Sequence, residues 1–278
     1  MEICDDSTTN DDKLTTQLDL SKNVTYLFQA ERMNAKRRKS MEDAHKIIPC
    51  FMNDVNIFYA GVFDGHGGRG VVDWVVSHLD NNLREAIESN ELTSIEQCLE
   101  YAFLYTDIQT KQKELCVDGS TAAIVFIQKQ LDGKRILYCA NVGDTRTLIC
   151  NNGQAIRLSY DHKAIDENEI RRINASGGFV SKGRVGGLLA ITRSFGDHSL
   201  KNYVTAHPYI TKYEITDQDQ FLVIACDGIF DVMTDQEVID FIQTHQGESG
   251  FDPANSLADE AIKRDTNDNI TVLVIGLQ

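Results

Sequence analysis

The segment IFYAGVFDGHGG, residues 57–68, is a run of apolar and small residues that ends at Asp64 and Gly65. Such a run, rich in aromatic and β-branched residues and closed by a turn pair, is typical of a buried β-strand. The segment FLVIACDG, residues 221–228, repeats this arrangement and ends at Asp227 and Gly228. Both segments therefore place a carboxylate where a buried strand leaves the core.

Other apolar runs predict the remaining strands, at residues 24–29, 121–127, 135–142, 147–150, 188–192 and 270–275. Asp132-Gly133 and Asn152-Gly153 readily adopt the positive φ angles of tight hairpin turns, so the strands that flank them must be antiparallel. Apolar residues at helical spacing predict helices around residues 71–79, 95–106, 166–176, 235–244 and 253–264. Grouped hairpins and grouped helices favour an α+β fold over alternating βαβ units.

The composition is acidic. Among 278 residues, 42 Asp and Glu outnumber 27 Lys and Arg, which gives a formal net charge of −15. This balance excludes a nucleic-acid-binding protein that works through a broadly basic surface. The 7 cysteines are odd in number and form no CxxC pair, so we expect reduced, packed cysteines instead of disulfides or a zinc site.

Residues 1–21 are polar and acidic and predict a flexible tail, whereas residues 22–278 predict one continuous domain. No stretch approaches the roughly 18 apolar residues of a membrane span, and the first residues lack the features of a signal peptide. Because Met1 is followed by Glu2 and not by a myristoylation glycine, we expect no stable membrane anchoring. We therefore expect the protein in the cytoplasm, the nucleus or both.

Further acids flank the predicted strands. Asp268 immediately precedes the last strand, and Glu42 and Asp43 precede the strand at 57–63. Asp-Gly is also a common turn pair, so a purely structural role for each acid stays open. If the acids converge, two charges about 4 Å apart repel by about 4 kcal/mol at an effective dielectric near 20, and the cluster must be protonated or bind a cation. Oxygen ligands without a His or Cys cluster favour Mg²⁺ or Mn²⁺ over zinc.

The glycine-rich segment GHGGRG, residues 65–70, fits the G-x-G-x-x-G pattern of dinucleotide-binding proteins. Two features count against that function. Asp64 would place a negative charge beside the pyrophosphate, and the next predicted element is a second helix instead of a parallel strand. The sequence also contains no NTPase P-loop, no D-x-D-x-T motif and no EF-hand loop. The acids are therefore the stronger functional signal.

Seven short motifs follow one another along the chain: RKSMEDAH at 38–45, VFDGHGG at 62–68, DGSTA at 118–122, ANVGDTR at 140–146, DHK at 161–163, ACDG at 225–228 and DN at 268–269. In order and spacing, this set resembles the metal-dependent, type 2C family of serine/threonine protein phosphatases from about residue 22 to the C-terminus. The resemblance implies an α+β fold, a four-layer α-β-β-α sandwich in which helices flank two central antiparallel sheets. It also implies hydrolysis of phosphoserine and phosphothreonine in proteins, so we expect phosphoprotein partners and a monomer.

By position, five groups match the family's ligands for two Mg²⁺ or Mn²⁺ ions, with Asp64 bridging both: Glu42, Asp64, the carbonyl of Gly65, Asp227 and Asp268. Arg38 resembles the family's phosphate clamp, and His66 resembles the general acid that protonates the leaving alkoxide. The implied reaction is a one-step attack on phosphorus by a water that two metal ions activate.

Other positions carry weaker expectations. Asp43 resembles an acid that orients water, and Asp161 resembles the acid of a weaker third metal site. We expect Asp144 to stabilise a turn, Trp74 to lie in the core, and the glycine-rich flap, residues 165–201, to contribute to substrate choice. The basic run 36–39 is also consistent with a nuclear localisation signal. The alternative to an enzyme is an inert scaffold of the same fold, although such a protein should have lost ligands that this chain retains.

Overall fold

The structure is a computed structural model that describes residues 21–115 and 118–278. The predicted tail lies outside the described residues apart from Ser21, as do Cys4 and Cys116. Within the described residues the strands are β1 (Leu27–Arg32), β2 (Ala44–Ile48), β3 (Ile57–Phe63), β4 (Gly65–His66), β5 (Gly119–Ser120), β6 (Ala122–Lys129), β7 (Arg135–Val142), β8 (Arg146–Asn151), β9 (Gln154–Arg157), β10 (Val180–Ser181), β11 (Arg184–Val185), β12 (Phe195–Gly196), β13 (Tyr209–Ile215), β14 (Asp219–Ala225) and β15 (Ile270–Gly276). The α-helices are α1 (Gly70–Glu88), α2 (Ile95–Gln112), α3 (Glu167–Ala175), α4 (Asp227–Phe230), α5 (Asp235–His245) and α6 (Pro253–Lys263).

Two antiparallel five-stranded sheets pack face to face at the centre of the protein. Sheet I has the strand order β1-β15-β14-β8-β9, and sheet II has the order β13-β7-β6-β3-β2. Helices α1 and α2 cover the outer face of sheet II, and α5 and α6 cover the outer face of sheet I. This arrangement confirms the predicted four-layer α-β-β-α sandwich.

Strand β3 is apolar at every position because both of its faces are covered. Side chains alternate between the two faces of a sheet, yet all residues of β3 are buried. Phe58 and Val62 pack between the sheets, whereas Tyr59 and Phe63 pack against the helices. Full burial of such a side chain stabilises the fold by about 1.5 to 3 kcal/mol, so this strand anchors the core.

Capping residues set the starts of the two helices on sheet I. Thr234 and Glu237 form a capping box before α5. Asp252 accepts a 3.0 Å hydrogen bond from the amide of Asn255, and Pro253 occupies the first turn of α6. These caps satisfy amides that have no partner within the helix, which explains why both helices begin where the sequence predicts.

The hairpins predicted at Gly133 and Gly153 join antiparallel neighbours, β6 with β7 and β8 with β9. The strand predicted at 188–192 is wrong, because that segment forms isolated bridges such as the one between Lys163 and Ile191. Its apolar side chains do not all enter a core, and Leu188 is 68% exposed. Strands β2 and β13 were not predicted, since each mixes charged and apolar residues over a short span.

Trp74 is half-buried instead of lying in the core, and its ring stacks on His78 with 3.6 Å between centroids. The described cysteines are free thiols, and all but the first are buried: Cys50, Cys98, Cys139, Cys150 and Cys226. No helix among the described residues is long and apolar enough to cross a membrane.

Candidate active site

Antiparallel pairing brings the predicted acids to one end of the sandwich. In sheet II the start of β2 lies against the end of β3, which places Asp43 beside Asp64. In sheet I the end of β14 lies against the start of β15, which places Asp227 near Asp268. Because the two sheets are stacked, these strand ends border a common cleft.

The cleft has a volume of about 300 Å³. Its polar lining includes four carboxylates, two guanidinium groups and an imidazole: Arg38, Asp64, His66, Asp144, Arg184, Asp227 and Asp268. Arg184 and Ile191 belong to the flap, so the flap also contributes to the cleft. Most of the predicted site residues therefore meet in one place, while Glu42, Asp43 and Asp161 lie outside this lining.

Burial and mutual repulsion govern the protonation of these acids. Burial raises the pKa of Asp64 well above its usual range, and the charges of Asp43 and Asp227 raise it further. Burial also raises the pKa of Asp227 well above its usual range, with further contributions from Asp144 and Asp268. The pKa of Asp43 rises to about 6, again chiefly through burial. A cation in the cluster would reverse these shifts, since an opposite charge favours the ionised form.

Two buried oxygens of the cluster, Asp43 Oδ2 and Asp227 Oδ1, have no hydrogen-bond partner among the described residues. Such an oxygen costs free energy unless something binds it. Carboxylate oxygens of Asp43 and Asp64 lie within 4.8 Å of each other and of the Cys226 sulfur. Burial raises the pKa of the Cys226 thiol well above its ordinary value, so the sulfur keeps its proton and the available ligands are oxygens. The residues present therefore fit hard divalent cations such as Mg²⁺ and Mn²⁺.

Arg38 extends to the start of β15. Its guanidinium contacts the carboxylate of Asp268, and its Nε donates a 3.1 Å hydrogen bond to the carbonyl of Asn267. Burial raises the pKa of Asp268, and the charge of Arg38 opposes that rise. The Arg38 side chain is 44% exposed, so its planar, paired N–H donors can also meet an oxyanion in the cleft.

Glu42 lies at the edge of the cleft, on the side of Gly65. Its carbonyl accepts a 3.2 Å hydrogen bond from the Gly65 amide, and its carboxylate accepts a 3.1 Å bond from Ser40 Oγ. Burial is the main cause of the raised pKa of Asp268, and repulsion from the Glu42 carboxylate raises that pKa further. Glu42 is thus close to the cluster without lining the cleft itself.

Two residues that sequence reasoning missed hold the loop around Glu42. Arg69 Nη1 donates hydrogen bonds of 2.6 Å to the carbonyl of Met41 and 3.0 Å to the carbonyl of Asp43. The side chain of Asn269 accepts a 2.9 Å bond from the Glu42 amide. Asn269 belongs to the DN motif, and Arg69 directly follows the VFDGHGG motif. Each contacts a segment far away in the sequence, so the motifs alone do not predict these contacts.

His66 faces the cleft with a 31% exposed side chain. Its Nε2 lies 2.8 Å from Oδ2 of Asp197, a buried flap residue 131 positions away. Asp197 was not predicted as a site residue. The only local feature in the sequence that marks this position is the preceding glycine, which is typical of a turn. This contact ties the predicted general acid to the flap.

Asp161 and Asp144 differ from their expected positions. Asp161 is engaged by Arg146 through bonds of 3.1 and 2.5 Å and also lies 3.5 Å from Arg157. Its charge is therefore already neutralised outside the cleft. Asp144, expected to stabilise a turn, lines the cleft instead, with Lys163 Nζ at 3.4 Å from its carboxylate.

A cluster of carboxylates that fits divalent cations, in a cleft also lined by guanidinium and imidazole groups, is suited to metal-dependent hydrolysis of phosphate esters. These carboxylates lie at the ends of buried strands of both sheets, so the core holds them in place. The fold and the site together define a metal-dependent phosphatase.

Comparisons with known proteins agree with this class. The family model described as protein phosphatase 2C matches residues 27–270. Protein phosphatase 2C homolog 1 of Saccharomyces cerevisiae is 37% identical over 269 residues, which cover 91% of this chain and 94% of that protein. The integrin-linked kinase-associated serine/threonine phosphatase 2C of Mus musculus is 34% identical over 288 residues, covering 90% of this chain and 72% of that protein.

Solved structures share the fold. A sex-determining protein of C. elegans superposes with a TM-score of 0.81 at 25% identity, covering 91% of this chain and 65% of that one. A serine-threonine phosphatase 2C from Toxoplasma gondii gives a TM-score of 0.78 at 19% identity, covering 91% and 94%. The chain belongs to the protein phosphatase 2C family. It is a metal-dependent serine/threonine protein phosphatase, and its substrates are phosphoproteins.

Proposed function

We propose that two divalent cations, Mg²⁺ or Mn²⁺, bind at this end of the sandwich and that five groups hold them: Glu42, Asp64, the carbonyl oxygen of Gly65, Asp227 and Asp268. The observation that carries this proposal is the convergence of the Asp64, Asp227 and Asp268 carboxylates on one cleft. The unpartnered Asp227 Oδ1 supports it as well. Bound there, the cations supply a deprotonated water as the nucleophile and neutralise charge on the phosphoryl oxygens.

We further propose that Arg38 binds and orients the phosphoryl group. Its guanidinium lines the cleft and already contacts Asp268, so it lies within reach of an anion beside the acids. Paired N–H donors in one plane match two phosphoryl oxygens, which a lysine ammonium cannot do. Arg38 thereby fixes the phosphorus for attack from the acid side of the cleft.

His66 is proposed as the general acid, and Asp43 as the acid that orients the attacking water. A serine or threonine alkoxide leaves poorly, so proton donation by His66 at the cleft wall should contribute on the order of 10² to 10⁴ in rate. Asp43 lies behind Asp64, and its unpartnered Oδ2 can accept a hydrogen bond from a water at that position.

A weaker third cation, if one binds, is proposed to lie at Asp144 instead of Asp161. Asp144 lines the cleft next to Asp64 and Asp227, whereas the Asp161 carboxylate already accepts two hydrogen bonds from Arg146. An acid that two guanidinium groups neutralise has little remaining attraction for a cation. An Asp144→Asn variant should therefore weaken a third Mn²⁺-binding step in calorimetry, and Asp161→Asn should not.

The test of the whole proposal is hydrolysis of a phosphothreonine peptide in the presence of Mn²⁺. Excess EDTA, Asp64→Ala and Asp227→Ala should each abolish activity, and both variants should lose Mn²⁺ binding in calorimetry. Asp219→Asn is a control, because this acid is also removed from bulk solvent but lies at the β13–β14 turn, outside the cleft lining. Full activity in either alanine variant would refute the proposed ligand set.

Residues 22–278 are proposed to form a single catalytic domain, which the family match over residues 27–270 supports. A monomeric enzyme stays a prediction from the sequence, and sedimentation equilibrium can test it. Location in the cytoplasm, the nucleus or both stays a prediction from the sequence.

A further inference from the structure

The contact between His66 and Asp197 decides which ring nitrogen of His66 can serve a substrate. Nε2 lies 2.8 Å from Asp197 Oδ2, and that same oxygen accepts a 2.5 Å hydrogen bond from Ser194 Oγ. A carboxylate can only accept hydrogen bonds, so the proton of this contact resides on Nε2. Among the described residues, nothing bonds to Nδ1 of His66.

Asp197 is held in a conformation that few residues tolerate. It has a φ of 47°, in the left-handed region, although it is not a glycine. It is only 7% exposed, and its amide donates a 2.9 Å hydrogen bond to the carbonyl of Asp118. Backbone strain of this kind costs of order 1 to 3 kcal/mol and persists where the surrounding structure enforces it, often at functional sites.

Neighbouring groups hold Asp197 in this left-handed conformation. A Cβ built on Gly119 would lie 2.2 Å from both Asp197 Oδ2 and His66 Nε2, so β5 leaves no room for any other residue beside the pair. The buried carboxylate of Asp107 on α2 accepts 2.9 Å bonds from the Gly196 amide and from Lys201 Nζ. Helix α2 thus anchors the segment that carries Asp197.

We propose that Asp197 is a positioning residue for the phosphatase reaction, which accepts the Nε2–H of His66 and thereby reserves Nδ1 for the leaving group. This inference rests on the proposed general-acid role of His66. The Nδ1 proton passes to the alkoxide oxygen as the P–O bond breaks, which leaves a serine or threonine hydroxyl and a neutral imidazole protonated at Nε2. A buried carboxylate that accepts a hydrogen bond from one ring nitrogen of a histidine orients the ring and fixes which nitrogen faces the substrate.

Leaving-group dependence tests this role, because a phosphothreonine peptide needs a general acid far more than p-nitrophenyl phosphate does. Asp197→Asn suits the left-handed backbone and replaces the acceptor with an amide that can donate. Asp197→Gly also suits the backbone and removes the acceptor altogether. Each variant should lower kcat for the peptide by about 10- to 100-fold, as loss of a supporting residue typically does, and lower kcat for the aryl phosphate far less.

A double variant separates action through His66 from a structural effect. In the His66→Gln background, Asp197→Asn should cause no further loss on the peptide. The control Asp219→Asn should leave the ratio of the two activities as in the wild type. Equal losses on both substrates, or a further loss in the double variant, would overturn the inference.

A readout independent of activity comes from ¹⁵N NMR of the histidine rings in the metal-free protein, with His66 assigned from the His66→Gln spectrum. The neutral ring should be protonated at Nε2 in the wild type, and a ring protonated at Nδ1 would contradict the inference. If His66→Gln slows both substrates equally, the general-acid role fails and the inference fails with it. If His66→Gln discriminates between the substrates but neither Asp197 variant does, the inference alone is overturned.

Discussion

Replacing Asp43 with asparagine should stabilise the metal-free enzyme, although the residue is buried in the active centre. Most substitutions of buried residues destabilise a protein. Asp43, however, lies beside Asp64 with an oxygen that has no hydrogen-bond partner among the described residues. Asparagine keeps the shape, removes the charge and adds a donor that can face Asp64.

The raised pKa of Asp43 gives the size of the effect. Burial raises the pKa of Asp43 from 3.8 to about 6, which corresponds to about 3 kcal/mol of destabilisation at pH 7. Because the folded state holds this proton more tightly than the unfolded state, the penalty is absent below about pH 4, grows between about pH 4 and pH 6, and is complete above that range.

Thermal and urea unfolding in EDTA at pH 7 measure this effect. Asp43→Asn should raise the free energy of unfolding by up to about 3 kcal/mol, or the melting temperature by roughly 5 to 10 °C. The gain should vanish near pH 4 and shrink in saturating Mn²⁺. The control Asp219→Asn should be destabilised in both media, since the Asp219 carboxylate accepts several hydrogen bonds. A less stable Asp43→Asn protein in EDTA at pH 7 would refute the claim that the acid cluster is strained without cations.

Two further predictions concern phosphate binding and the flap. Arg38→Ala should lower kcat/KM for a phosphothreonine peptide by about 10- to 100-fold, because a hydrogen bond to a charged group is worth about 1.5 to 3 kcal/mol; an unchanged value in steady-state kinetics would remove Arg38 from phosphate binding. Burial alone would raise the pKa of Glu169, but hydrogen bonds from Arg193 and Arg172 outweigh it and lower that pKa to about 2. The stability that Glu169 provides is therefore present above about pH 4.5 and lost as the pH falls towards 2. Glu169→Ala should lower the free energy of unfolding at pH 7 by about 3 to 5 kcal/mol, and urea unfolding that matches the wild type would contradict this.

The parts of the fold that the sequence predicts well are those where one physical signal dominates. Strand β3 runs from Ile57 to Phe63 as predicted, because a strand covered on both faces is apolar throughout and a polar residue bounds it at each end. The segment 188–192 carries a similar apolar run, yet it lies in the flap with Leu188 exposed. Composition alone cannot distinguish these cases, because burial depends on what the rest of the chain places against the run.

The residues of the candidate site also differ in how well the sequence predicts them. The acids at strand ends could be predicted, since antiparallel register brings the ends of neighbouring strands together. Contacts between distant segments could not: the carboxylate of Asp197 reaches His66 across 131 positions. Likewise, Asp161 and Asp144 belong to similar acidic motifs, and only the position of the Arg146 side chain decides which acid is neutralised and which lines the cleft.

Anomalous diffraction at the manganese edge, from crystals grown with Mn²⁺, tests the central claim most directly. We predict two Mn²⁺ peaks at the end of the sandwich, with Asp64 in contact with both and with Asp227 and Asp268 ligating one of them. A peak at Asp161, a single peak without Asp64, or an empty cleft at saturating Mn²⁺ would contradict the proposed metal site.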